Sequence, residues 1–373
     1  MLRNIFRINL GVKKTERCLI FTDKPSPRED IDPSEAERRS MLKCIAFLAV
    51  EVGKGYARDV VFREFTATGS HGAEPPLELW DAAFGKRAVS GLEKKGILGP
   101  LLKKNARDSE IREAETIIQR FKKDSVNAVI ALSNFSTSHT RFRDFLTRIC
   151  ATRYASMPLF EISMLEGPMN VDWRALAKLT RAVAGKINKT ERIEITTGNG
   201  SRISFAVKDR KALGDTGILT KPGSCGNLPA GEVFLAPVEG TAQGKIVLEW
   251  APTRELKSPI ILTIKDGYVK DVSGSEVYAD YLKRKLSERK ENGNIAELGI
   301  GTNNRAKRPD NILESEKIMG TIHIALGDNS SFGGKIMTPF HQDFVFFKPT
   351  VILVHKNKSK TVLMNKGKLQ VVV

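Results

Sequence analysis

Residues 319–343, MGTIHIALGDNSSFGGKIMTPFHQD, hold two of the chain's five histidines and close on a His-x-Asp. If TIHIA is a strand, its period of two sets Thr321, His323 and Ala325 on one face and Ile322, Ile324 and Leu326 on the other. His341 and Asp343 likewise project from one side of HQDFVFF, with Gln342 turned away. Two imidazoles and a carboxylate converging on one point make a first-row metal site. Glu232 in NLPAGEVFLAP and Glu297 in IAELGIG add acidic candidates, each beside glycines that permit close backbone approach. Either one taken singly also reads as a solvated edge-strand glutamate.

The elements that must position these residues fall into two groups. CLIFT (18–22) reads as a buried strand. The following IDPSEAE offers Asp32 as N-cap, Pro33 at the first helical position and Glu35 as the reciprocal capping residue. Leu42, Ile45, Ala46, Ala49 and Val50 supply the apolar stripe of a long helix, and ARDVVFREF reads as the next strand, giving a βαβ unit. Helices at LELWDAAFG, IREAETIIQRF and 139–149 alternate with strands at NAVIAL and SMPLFEISM. After Gly167 and the helix VDWRALAKLTRAVAGKI the pattern changes to short alternating strands. RIEITTGNGSRISFAV reads as a hairpin with a Gly-Asn-Gly turn, and PIILTIKDGYVKDV as another with Asp266-Gly267. The expected fold is an α/β N-terminal domain with a mainly parallel sheet (1–170), then a strand-rich α+β metal-binding domain (171–373).

Composition narrows the function classes. No apolar run is long enough to span a bilayer, and the N-terminus lacks a secretory signal pattern, so a cytoplasmic protein is expected. The four cysteines are scattered and none lies in a C-x-x-C pair; this fits free thiols better than a disulfide framework. The net charge of +17 raises nucleic acid as a partner. Its basic residues are dispersed and not interleaved with aromatics, so solvated surface charge is the expectation. The glycines of TTGNGSRIS mark a hairpin and not a dinucleotide loop, and Ser136, Ser138 and His139 read as capping groups at a helix start.

The ordered pieces NLPAGEVFLAP, AELGIG, GTIHIALGDN followed by FGG, and HQD with a downstream KPTV resemble the aminopeptidase T and aminopeptidase S family of metallopeptidases, often labelled leucyl aminopeptidases. SNFSTSHTRFR and RYASMP upstream resemble it too. The resemblance implies a homodimer whose second domain binds two divalent ions of zinc, cobalt or manganese. Its ligands would be Glu232, Glu297, His323, His341 and Asp343, with Glu297 bridging. The function so implied is that of an aminopeptidase-like hydrolase in which a metal-activated water cleaves N-terminal residues from peptides. Beside Glu297, the catalytic candidates are Ser330, standing where peptidase members carry tyrosine, and Glu316, upstream of their acidic residue. Glu316 also reads as a helix-surface residue of ILESEK. An alternative comes from relatives of this fold, the dihydroxypyridine ring-cleaving dioxygenases. They hold one ferrous iron with two histidines and one aspartate, and His323, His341 and Asp343 satisfy that pattern as well. In that case the substrate is a small aromatic molecule.

Overall fold

The computed structural model describes residues 1–371 and divides the chain into two compact units. Residues 1–170 and 217–229 form the first; 171–216 and the described residues from 230 onward form the second. The sequence suggested a single division near 170, whereas the segment 217–229 returns to the first unit. It does so because its strand Cys225–Asn227 pairs in parallel with Arg153–Ser156.

In the first unit the strands run Asp59–Thr66, Arg17–Lys24, Ala128–Ala131, Arg153–Ser156, Cys225–Asn227 across one wholly parallel sheet. Arg17–Lys24 and Ala128–Ala131 are almost continuously buried, as strands covered on both faces must be. Helix Pro33–Lys54 follows the first strand, and the Asp32 side chain accepts from the Glu35 backbone N–H, as the capping pattern implies. Leu19, Phe21, Val129 and Tyr154 pack with Leu79, Trp80, Phe84, Phe142 and Phe145 from the helices. SMPLFEISM is not a strand. The fourth strand lies earlier, at Arg153–Ser156, and ends before Pro158, whose ring removes the amide donor a ladder needs. Helix Arg141–Arg148 is capped by Thr140, whose hydroxyl accepts from Arg143 N–H, so neither Ser136 nor Ser138 is its cap.

The second unit opens with helix Trp173–Ile187 and continues into two antiparallel sheets. The larger has eight strands, among them the hairpins Arg192–Thr196 with Arg202–Ala206 and Arg254–Lys265 with Tyr268–Ser273. The second hairpin turns at Asp266 and Gly267, both at positive φ. The smaller runs His341–Phe347, Thr321–Gly327, Ile295–Gly301, Glu232–Leu235, Leu213–Asp215. Val233, Leu298, Ile300, Ile322, Ile324, Leu326, Phe344 and Phe346 of the smaller sheet share one apolar cluster with Ile193, Ile195, Ile246 and Leu262 of the larger. One face of the five-stranded sheet is thereby committed to the core, and its other face is left for polar side chains. The chain is thus α/β with a parallel sheet followed by a strand-rich antiparallel part. No helix among the described residues is long and apolar enough to cross a membrane.

Candidate metal centre

Register decides which side chains meet. Across the five-stranded sheet Glu232 pairs with Gly301, and Phe234 with Gly299, which faces His323 and then Val345. Glu297 faces Ala325 and then Asp343, while Gly327 faces His341. Residues directly opposite share a face. All five expected donors therefore stand on the side away from the core, and the alternation read from TIHIALG and HQDFVFF is the one the sheet adopts. Small residues fill the positions between them. A Cβ on Gly299 would lie 1.9 Å from His323 Cε1 and Nε2, so the imidazole rests over a backbone that only glycine leaves bare. Ala325 puts a single methyl between Glu297 and Asp343.

The donors form one connected group. His323 Nε2 lies 3.4 Å from Glu297 Oε1 and 3.6 Å from Glu232 Oε2; His341 Nε2 lies 3.5 Å from both Glu297 Oε2 and Asp343 Oδ2. Glu297 thus sits between the two imidazoles. Its carboxylate, the Asp343 carboxylate and the His341 ring offer ligand atoms that all lie within 4.8 Å of one another. The His341 ring is oriented from behind, by Nδ1 at 2.8 Å from the Asp328 carbonyl. That bond leaves the Nε2 lone pair of a neutral ring facing the carboxylates. Asp328 is fixed in turn. Its carboxylate accepts from Ser330 N–H, Ser330 Oγ and Thr338 N–H, which pins the loop.

Electrostatics mark the group as a seat for positive charge. Burial pushes His323 down, but the hydrogen bond to Glu297 and the charges of Glu232, Asp343 and Glu316 outweigh it and raise the ring to about 9. Burial acts the same way on His341, and Asp343, Glu297 and the Asp328 carbonyl raise it to about 10. For Asp343, burial works upward, yet His341, His323 and Lys317 hold the carboxyl below its ordinary value. Burial dominates at Glu232 and raises it. Two buried atoms, Glu232 Oε2 and His323 Nδ1, have no hydrogen-bond partner. In a protein interior such atoms are expensive. Three carboxylates around two imidazoles are the donor chemistry of a first-row metal, so the residues present fit a metal ion.

Two further expected residues fall differently from their sequence readings. Glu316 follows the short helix Ile312–Ser315 and is not a helix-surface residue: its carboxylate lies 2.6 Å from Lys317 Nζ. Ser330 is exposed and gives its hydroxyl to Asp328, serving the loop that orients His341. Sequence reasoning missed Lys317 altogether. This side chain is fully buried, with Nζ also 2.9 Å from Glu232 Oε1. No cysteine among the described residues is in a disulfide, as their scattered positions imply.

Fold and site together define a metalloenzyme architecture: a parallel α/β unit followed by an antiparallel unit with clustered imidazoles and carboxylates on one sheet face. The family model described as NicX, 2,5-dihydroxypyridine 5,6-dioxygenase, matches residues 104–370, and the chain belongs to that family of enzymes. Among solved structures, the 2,5-dihydroxypyridine dioxygenase of Pseudomonas putida KT2440 is similar at a TM-score of 0.66 and 18% identity, covering 99% of this chain and 96% of that one. Wild-type AmpT from Thermus thermophilus is similar at a TM-score of 0.56 and 15% identity, covering 99% and 98%. These two likenesses establish the shared fold. No curated protein matches the chain. The family match overturns the expectation of an aminopeptidase-like hydrolase. Both readings draw on His323, His341 and Asp343; Glu232 and Glu297 are the residues that favoured two metals.

Proposed function

We propose that this chain is an iron-dependent dioxygenase that opens the ring of a hydroxylated pyridine of the 2,5-dihydroxypyridine class, placing both atoms of dioxygen in the product. Family membership over residues 104–370, a span that contains all five donors, carries this reading. His323, His341 and Asp343 are the proposed ligands. A ferrous ion held by them would supply the redox capacity and the open positions that bring dioxygen and ring together.

The remaining work belongs to the chain's own side chains. The Asp328 carbonyl keeps His341 Nε2 aimed into the group. Glu297, in reach of both imidazoles, is placed to take the proton from a substrate hydroxyl as it binds. An aromatic wall favours a flat ring. Phe234, on the donor face, meets Phe332 edge-on at 5.8 Å between centroids, and Phe332 meets His341 at 6.1 Å. Such a wall offers a pyridine a stacking surface beside the proposed ligands.

The test uses chelator-stripped protein reloaded anaerobically with ferrous iron and then given oxygen and 2,5-dihydroxypyridine. Equimolar oxygen uptake and loss of the aromatic absorption band are expected, both abolished in Asp343→Ala. Iron-loaded, folded protein that consumes no oxygen with any dihydroxylated pyridine would sink the proposal.

A further inference from the structure

The donor group contains two half-sites that share Glu297. One is Glu297, His341 and Asp343. The other is Glu297, Glu232 and His323, in which two carboxylate oxygens flank one Nε2 at 3.4 and 3.6 Å. By donor chemistry the group could hold one ion on His323, His341 and Asp343, or two ions, the second drawing on Glu232 and sharing Glu297. The half-sites differ in one respect: beside the second lies Lys317, fully buried, with Nζ 2.9 Å from Glu232 Oε1 and 2.6 Å from Glu316 Oε2.

We propose that the Lys317 ammonium is a built-in cation standing in for a second divalent ion beside Glu232, and that it restricts the centre to one metal. The backbone is arranged to deliver it. Asn303 N–H donates to the Lys317 carbonyl, and the chain at 317–318 crosses the donor face directly over Gly301. A Cβ there would lie 2.0 Å from the Ile318 carbonyl oxygen and 2.9 Å from the Lys317 carbonyl carbon. Gly301 is the register partner of Glu232, so the lysine arrives beside the carboxylate it pairs with. There its side chain is fully buried. A carboxylate already neutralised by a buried ammonium is a poor ligand, and a divalent ion bound to it would be repelled by a like charge a few ångströms away in a medium of low dielectric constant. Glu316, which would otherwise add negative charge to the second half-site, is engaged by the same lysine. Glu232 is thereby withdrawn from the ligand set and becomes part of the charge balance around one metal.

The inference rests on the reading of His323, His341 and Asp343 as ligands, but not on the reaction they serve, and zinc separates the two because it supports no oxygen chemistry. Chelator-stripped wild type, Lys317→Ala and Glu232→Gln are each titrated with zinc, and bound ions are counted by elemental analysis after gel filtration. Wild type is expected to hold one ion per chain and Lys317→Ala two, with zinc raising the thermal midpoint of Lys317→Ala more than that of wild type. Glu232→Gln keeps the lysine paired with Glu316 and is expected to retain one ion at wild-type affinity; if Lys317→Ala fails to fold, Lys317→Met, which keeps the side-chain length and removes the charge, is expected to hold two. Two ions in wild type, one in folded Lys317→Ala or Lys317→Met, or loss of the ion from Glu232→Gln would overturn the proposal. Absence of oxygen uptake by the iron form, with these ion counts intact, would count against the dioxygenase reading alone.

Discussion

Replacing Gly299 with alanine probes the centre through a single methyl group. The new carbon would sit 1.9 Å from His323 Cε1 and Nε2, whereas ordinary contact begins at 3.4 Å, so the ring must retreat by about 1.5 Å. His323 is 1% exposed, so any retreat must be made inside the protein. Overpacking of this kind costs about 1–3 kcal/mol. The functional loss should be larger, since displacing a proposed ligand by more than about 1 Å costs on the order of 100-fold. Metal affinity by isothermal titration and unfolding free energy by denaturant titration are the assays, each run also in a His323→Ala background. With the ring gone the methyl has room, so the stability penalty of Gly299→Ala should nearly vanish there, a coupling of about 1–3 kcal/mol. An equal penalty in both backgrounds, or wild-type metal affinity in Gly299→Ala, would refute the packing of His323 over Gly299.

Three other outcomes follow from the same geometry. Both imidazoles bind protons more tightly in the folded chain than at their ordinary 6.5, so their contribution to the stability of metal-free protein is complete below 6.5 and fades as pH rises through about 9 to 10. Asp343 is depressed below 3.8, so its contribution is present above that value and fades on acidification beneath it. Thermal midpoints of chelator-treated protein should therefore fall on the alkaline side and recover when metal is added; a midpoint that climbs from pH 7 to 9 without metal would contradict the charge arrangement. Asp343→Asn keeps the shape and removes the charge, and metal affinity should drop by more than about 100-fold, read by competition with a chelating dye. Ser330→Ala loses only exposed bonds to Asp328, so a stability change of about 1 kcal/mol or less and unchanged metal stoichiometry are expected. Loss of the ion in that variant would assign Ser330 a direct part in the centre.

Much of this centre was legible in the sequence because strand alternation is a local rule. The apolar residues Ile322, Ile324, Leu326, Phe344 and Phe346 mark the buried face, and His323, His341 and Asp343 must then share the other. The capping residues Asp32 and Glu35 and the turns at Gly198–Gly200 and Asp266-Gly267 are local in the same sense. Lys317 was hidden because its meaning depends on Glu232, a residue brought beside it only by sheet register and by the crossing over Gly301. An isolated lysine next to a strand reads as surface. The return of 217–229 to the first unit is hidden for a similar reason, since a three-residue strand carries too little pattern to announce its parallel partner. Function was harder still. The donor types alone fit two chemistries, and the family match over residues 104–370 is what separates them.

Isotopically labelled dioxygen puts the central claim to its most direct trial. Iron-loaded protein turning over 2,5-dihydroxypyridine under labelled gas should give a ring-opened product that carries both labelled oxygen atoms by mass spectrometry. A product with one labelled atom or none, or an intact ring alongside amino acids released from added peptides, would contradict it.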